Sequence, residues 1–191
     1  LVRDVYRHYG TMFGEFAKFR RWDFERISKC VDDSELEKLR GQENPNGCLF
    51  ISAHLGNWEL TGLTLPPFGV DVWSVARPLK NPHIDRLLNK SRVRFGQHIM
   101  EKFNVMLEIV RHLKQGRNVA VIIDQDSEKD ALFVPFLGET AATLTVHAKL
   151  ALKYELPVYC VVTQRNKPFR HRFRIIGPVD YPKEGEDALE K

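Results

Sequence analysis

Residues 49–60 read LFISAHLGNWEL, and their pattern is the strongest indication of the fold. Residues 49–51 form an apolar run that suits a buried strand. The run ends in a small polar turn, and the apolar pattern resumes at Leu60 as a helix. Such a strand-turn-helix unit is typical of open α/β sheets, which bind ligands at the carboxyl ends of their strands. The sequence therefore predicts His54 at the mouth of a cleft, with Glu59 in the first turn of the next helix.

His54 and Glu59 have the chemistry of a general base and its partner. A neutral imidazole takes a proton from a hydroxyl near neutral pH, and a carboxylate on its other nitrogen fixes the tautomer. Gly56 permits close backbone approach, and Asn57 adds a polar donor. The alternative interpretation is that His54 is only a hydrogen-bonded turn residue, because this spacing is common by chance.

The composition is that of one globular domain: 191 residues, 43% apolar and 28% charged. No apolar run approaches the roughly 20 residues that cross a bilayer. Three cysteines, an odd number without metal-ligand spacing, are expected to be reduced core residues. The net charge is +4, but the sequence shows neither an RNA-binding signature nor a DNA-reading helix. An anionic membrane surface, lipid phosphates, an acidic carrier protein, or simply a basic surface without a partner would account for that charge.

Alternating strand and helix patterns predict an α/β domain with a largely parallel sheet and helices on both faces. Besides the central strand, strands are predicted at 70–76, 97–99, 118–124, 158–163 and 173–176. Helices are predicted at 2–19, after Ser34, after Glu59, at 81–95, at 105–115, and from Thr143 or Thr145 to about Tyr154. A turn is predicted at 41–47. Residues 132–138, interrupted by Pro135, suit a pocket-lining loop or an edge segment.

The first predicted helix is amphipathic and rich in aromatic residues. Its apolar face is either part of the core or lies partly in a lipid headgroup region, and the pattern fits both. The face consists of Val2, Val5, Tyr6, Tyr9, Met12, Phe13, Phe16 and Phe19.

Three predicted strands end in His54, Arg77 and Asp124, and such ends converge on one edge of a doubly wound sheet. Arg77 suits a phosphate or a developing oxyanion, or forms a salt bridge with Glu59 or Asp124. Asp124 and Asp126 could hold a metal, orient sugar hydroxyls or pair with an arginine. Two carboxylates make a poor cage for a hard cation, so the metal interpretation is weak.

Four blocks of this chain resemble, in the expected order, those of the bacterial lipid A biosynthesis acyltransferases within the glycerolipid acyltransferase superfamily. Residues 52–59 (SAHLGNWE) resemble the His-x-x-x-x-Asp/Glu block. The other three are similar to the Arg-Pro, Asp-Gln-Asp and Phe-Val-Pro-Phe-x-Gly blocks: 75–82 (VARPLKNP), 124–126 (DQD), and 133–141 (FVPFLGETA) followed by Thr143. Together they define a motif-bearing core at about 48–165.

The resemblance implies one acyltransferase domain over residues 1–191, acting at the cytoplasmic face of a bacterial inner membrane. It implies transfer of a fatty acyl chain from acyl carrier protein, through its phosphopantetheine, or from acyl-CoA, to a lipid A precursor, with neither metal nor other cofactor. His54 would be the base, oriented by Glu59, with no covalent intermediate. Substrate contacts would come from Gly56, Asn57, Arg77 (a phosphate), Asp124, Asp126, Phe136 (an acyl pocket), Gly138 and Thr143.

Members of that family begin with an apolar anchor and continue past the end of this chain, so we expect a piece lacking both. Other lipid acceptors fit the same base, namely a glycerolipid, an ornithine lipid or a mannosylated phosphoinositide, although the Asp-Gln-Asp block favours lipid A. An α/β hydrolase or thioesterase is disfavoured because no Gly-x-Ser-x-Gly elbow is present. A metal-dependent phosphoesterase using Asp124 and Asp126, and a non-catalytic lipid-surface module, are further alternatives.

Overall fold

The computed structural model describes residues 1–40, 47–101, 105–126 and 131–181. Most of the turn predicted at 41–47 lies outside these residues. The helices are α1 (Val2–Phe19), α2 (Phe24–Ser28), α3 (Trp58–Thr64), α4 (Pro82–Arg94), α5 (Val105–Leu113) and α6 (Val146–Tyr154), with a 3₁₀ helix at Ser34–Lys38. The strands are β1 (Val31–Asp32), β2 (Leu49–Ser52), β3 (Trp73–Ala76), β4 (His98–Glu101), β5 (Val119–Ile122), β6 (Ala131–Phe136), β7 (Glu139–Leu144), β8 (Val158–Lys167) and β9 (Arg170–Ile176).

Seven strands form one sheet in the order β1-β9-β8-β2-β5-β3-β4. Neighbouring strands run parallel except β8 and β9, which pair antiparallel. At the centre Leu49 pairs with Val119 on one side and Val158 on the other. Short apolar strands such as β2 and β5 are typical of parallel sheets, which are covered on both faces. The predicted largely parallel sheet is confirmed.

Helices cover both faces of the sheet, as predicted, because successive side chains of β2 point to opposite sides. Phe50 belongs to a core cluster with Phe19 of α1, Ile27 of α2 and Leu60 of α3. Leu49 belongs to a second cluster, with residues of α5 and α6. Two apolar layers thus fix β2, and with it the turn that follows, in the middle of the domain.

Some elements differ from the prediction. Of the two alternatives predicted for residues 132–138, the edge segment forms rather than the loop: residues 131–144 are an antiparallel hairpin. Its turn, Leu137-Gly138, has positive φ at both positions, as a tight primed turn requires. Pro135 is tolerated there because the hairpin is a separate two-stranded sheet. Helix α2 was not predicted, since five residues carry too little periodicity.

Helix α1 divides its apolar face between core and surface. Met12, Phe16 and Phe19 are buried, whereas Tyr6 and Phe13 are 76% and 63% exposed. The described residues contain no helix both long and apolar enough to cross a membrane.

Candidate active site

His54 follows β2, and its partner is Asp124, which follows the neighbouring strand β5. Nδ1 of His54 lies 2.8 Å from Oδ1 of Asp124, and the backbone N–H of His54 donates to Oδ2 at 2.7 Å. The carboxylate therefore holds both the ring and the main chain of His54. The two residues meet because β2 and β5 are adjacent and parallel, so their carboxyl ends lie side by side.

The contact with Asp124 sets the tautomer of His54. An ionised carboxylate only accepts hydrogen bonds, so Nδ1 carries the proton and Nε2 keeps its lone pair. Nε2 has no hydrogen-bond partner among the described residues, and the side chain is 29% exposed. The ring also packs edge-on against Trp58, with centroids 4.9 Å apart. The result is an oriented imidazole with a free basic nitrogen that solvent or substrate can reach.

Glu59 does not contact His54, contrary to the sequence interpretation. Its two oxygens accept from Nε and Nη2 of Arg92 at 3.1 and 2.7 Å, and both side chains are largely buried. The physical reason is that α3 begins at Trp58, whose ring lies against His54, while Glu59 faces α4. The glutamate thus joins α3 to α4, and Asp124, which the sequence assigned to substrate, takes its place beside His54.

Asn57, which the sequence assigned to substrate binding, is fully buried. Its Oδ1 accepts from the Leu60 N–H at 3.1 Å and caps α3, and its Nδ2 donates to Oε2 of Glu15 at 3.0 Å. Both ends of the Asn57 amide are thus engaged inside the protein. Asn57 therefore fixes the start of α3, the helix that follows the turn after His54.

Gly56 is required by the backbone. Its φ is +64°, and a Cβ there would lie 1.6 Å from the carbonyl oxygen of Thr163 on β8. The close approach that the sequence predicted is therefore to a neighbouring strand, and it forms an isolated parallel bridge. The hydroxyl of Thr163 further donates to the carbonyl of Asn57 at 2.9 Å. The turn after His54 is thereby attached to β8 as well as to β5.

Glu15 of α1 is a buried carboxylate that stabilises the turn after His54. It accepts from Arg165 through Nε and Nη2 at 2.9 to 3.1 Å and from the Phe169 N–H at 3.0 Å. Nε2 of His171 lies 3.1 Å from Oε1 at ion-pair distance, without the orientation of a hydrogen bond. Burial by itself would raise the pKa of Glu15, but His171, Arg165 and the Phe169 N–H outweigh it and lower the pKa to about 2. Glu15 is therefore ionised at neutral pH.

Arg77 and Asp126 lie where the sequence placed them, at the carboxyl edge. Arg77 follows β3, next to β5 in the sheet, and is exposed; it forms no ion pair within the part of the chain that the structure describes. The salt bridge to Glu59 or Asp124 considered from the sequence is not formed. Asp126 is exposed two residues after Asp124. Their contacts with substrate stay predictions.

Phe136, Gly138 and Thr143 all lie on the β6–β7 hairpin. Phe136 is 62% exposed, Gly138 forms the tight turn, and the Thr143 hydroxyl lies 3.4 Å from the Ala141 carbonyl oxygen. The role of Phe136 in an acyl pocket stays a prediction.

Sequence reasoning missed Glu15, Arg92 and Arg165. Glu15 carried a signal, because it lies on the helix stripe of Met12, Phe16 and Phe19, where a charged side chain must be buried and paired.

The profile of a family described as bacterial lipid A biosynthesis acyltransferase matches residues 1–190. A lipid A biosynthesis acyltransferase of Haemophilus influenzae is 25% identical over 150 residues, which are 76% of this chain and 46% of that protein. A phosphatidylinositol mannoside acyltransferase of Mycolicibacterium smegmatis is 23% identical over 171 residues, 84% of this chain and 55% of that protein. The chain thus spans about half the length of these relatives.

Proposed function

Because the chain belongs to the bacterial lipid A biosynthesis acyltransferase family, we propose that it transfers a fatty acyl group from a thioester to a hydroxyl of a lipid A precursor. The observation that carries the proposal is the His54–Asp124 pair at the carboxyl edge of the sheet. It provides an oriented general base with an accessible nitrogen, which direct attack of a hydroxyl on a thioester requires.

The proposed reaction has one nucleophile, the acceptor hydroxyl. Nε2 of His54 takes its proton as the oxygen attacks the thioester carbonyl, and Asp124 stabilises the resulting imidazolium. The tetrahedral intermediate collapses with formation of the ester C–O bond and cleavage of the C–S bond. The proton on Nε2 then passes to the departing sulfur. No acyl-enzyme is needed, and Asp124 takes the orienting role that the sequence gave to Glu59.

We assign the donor to acyl carrier protein, with acyl-CoA as the alternative, since both present a thioester on phosphopantetheine. The net charge of +4 favours an acidic carrier or an anionic lipid surface. The exposed half of the α1 face, including Tyr6 and Phe13, supports peripheral contact with the headgroup region of a membrane. We place this contact at the cytoplasmic face of the inner membrane, where a cytoplasmic carrier would deliver its acyl group.

A phosphatidylinositol mannoside is a second candidate acceptor, because one relative is named as a phosphatidylinositol mannoside acyltransferase. The same His54–Asp124 chemistry serves any lipid hydroxyl, so the acceptor depends on the headgroup contacts around the base.

The test is transfer of a radiolabelled acyl group from acyl carrier protein to a tetra-acylated lipid A precursor in detergent, with phosphatidylinositol mannoside as a second acceptor. We expect product with the first acceptor and loss of it in His54→Ala. Asp124→Asn should lower kcat on the order of 10³-fold or more, because an amide next to Nδ1 favours the wrong tautomer.

Asp71→Asn is the matched control. Asp71 also contacts a histidine, with Oδ1 lying 3.2 Å from Nε2 of His98, but this pair is exposed at the opposite end of the strands. The Asp71→Asn variant should leave kcat unchanged. Product from folded His54→Ala would refute the base, and acylation of the mannoside alone would replace the acceptor.

A further inference from the structure

A partly open cavity of about 370 Å³ lies beside the catalytic turn. We call it the arginine pocket. Its polar lining consists of His8, Gln164, Arg165 and Arg174, and its apolar lining of Leu55, Gly56 and Val162. Two arginines and a histidine are therefore among the residues that line the cavity, and no acidic residue is. This volume is near the lower end for small-molecule sites, and it suits a headgroup-sized fragment.

Arg165 is held in place from behind. Glu15 binds its Nε and Nη2, and Nη1 donates to Nδ1 of His8 at 3.0 Å. A guanidinium has five N–H groups, so Nη1 and Nη2 each retain one for a ligand. Because His8 accepts at Nδ1, its Nε2 carries the proton and is a further donor. The side chain of Arg165 is only 12% exposed, so little conformational freedom is left to lose on binding.

Arg174 supplies a second, less occupied guanidinium. Its Nη1 lies 3.1 Å from Oε1 of Glu35, and its other N–H groups have no partner in the described ranges. Glu35 does not line the cavity. Planar guanidinium groups with free N–H groups are the donors that proteins use for phosphate oxygens.

The arginine pocket lies within reach of the reacting atoms. Gly56 lines the cavity, lies two residues from His54 and forms a parallel bridge with Thr163 of β8. Val162, the residue before Thr163, pairs with Arg174 of β9. Adjacent strands are about 4.8 Å apart, so the main chain of Arg174 is roughly 10 Å from Gly56. Since β8 and β5 flank β2, the arginine pocket and Asp124 lie on opposite sides of the base.

We propose that the arginine pocket binds a phosphate group carried by one of the two substrates of acyl transfer. The inference rests on the proposed function, because both candidate substrates carry phosphate: the phosphopantetheine of the donor and the sugar headgroup of the acceptor. It assigns this role to Arg174 and Arg165, on the side of β2 away from Arg77. A phosphate bound here places the rest of its substrate alongside His54.

Binding of small fragments tests this without any acyl transfer. The probes are 4′-phosphopantetheine against pantetheine for the donor, and glucosamine 1-phosphate against glucosamine for the acceptor. Backbone amide signals of Leu55 and Gly56 in ¹⁵N-resolved NMR spectra report binding in the cavity. We expect a phosphorylated probe to shift these signals and its unphosphorylated counterpart not to.

Arg174→Gln should weaken that binding about tenfold or more, as expected for loss of a charge-assisted hydrogen bond. Arg172→Gln is the matched control, since Arg172 lies on the same strand, is similarly exposed, pairs with Asp32 and does not line the cavity. The probe that loses affinity identifies the substrate, and a response of both still supports a phosphate site. Equal weakening by the two variants, or no preference for either phosphorylated probe, would overturn the proposal. Failed acyl transfer with intact phosphate binding would count against the proposed function alone.

Discussion

Replacing Glu15 by glutamine removes the charge that supports the catalytic turn while keeping the shape of the side chain. Glu15 is fully buried and receives hydrogen bonds from Asn57, Arg165 and the backbone of Phe169. In Glu15→Gln the guanidinium of Arg165 loses its buried counter-ion. We expect a marked loss of stability, because an ion left unpaired in the interior keeps its desolvation cost.

The magnitude follows from the pKa of Glu15, which falls from an ordinary value of 4.5 to about 2. Each pKa unit corresponds to about 1.36 kcal/mol, so ionised Glu15 contributes about 3 kcal/mol to the free energy of unfolding at pH 7. A lowered carboxyl pKa means that this contribution is complete above pH 4.5 and is lost as the pH falls towards 2. At pH 3 about 1 kcal/mol should remain.

The assay is urea unfolding followed by tryptophan fluorescence, on wild type and Glu15→Gln, at pH 7 and pH 3. The difference in unfolding free energy should be about 3 kcal/mol at pH 7 and clearly smaller at pH 3. Glu25→Gln is the control for the chemical change, since Glu25 pairs with Lys29 on the surface with both side chains at least 70% exposed. It should change stability by no more than about 0.5 kcal/mol. A Glu15→Gln difference below about 1 kcal/mol at pH 7, or one independent of pH, would show that ionised Glu15 does not stabilise the fold in this way.

Three further substitutions test other parts of the structure. Gly56→Ala puts a methyl group 1.6 Å from the Thr163 carbonyl oxygen, so we expect a loss on the order of 3 kcal/mol or more in urea unfolding; near-native stability would contradict the assigned backbone. Glu59→Gln weakens the double contact between α3 and α4 and should cost about 1–3 kcal/mol by the same measurement, with an unchanged midpoint arguing against that contact. Phe13→Ser should reduce binding to anionic vesicles in a sedimentation assay, whereas Leu107→Ser, 73% exposed on α5, should not; equal loss would mean that α1 is not the docking face.

Local patterns of the sequence determined the elements and the sheet. The apolar run of residues 49–51 indicates a strand because a strand buried on both faces is apolar throughout. Strand patterns alternate with helical patterns along the chain, which indicates a parallel sheet because parallel strands are joined by helical crossovers. The same reasoning placed His54, Arg77 and Asp124 at one edge. These inferences succeeded because periodicity and turn chemistry depend on neighbouring residues.

Which carboxylate contacts His54 depends on the tertiary structure. Glu59 is five residues from His54, yet the direction of α3 turns it towards Arg92; Asp124 is 70 residues away, yet adjacent strands bring it within 2.8 Å. The burial of Asn57 on Glu15 has the same origin. Hydrogen bonds require distances accurate to a few tenths of an ångström. Such distances depend on how whole elements pack, so spacing along the chain singled out His54 as the candidate base, while the packing of β2, β5 and α1 selected its partners.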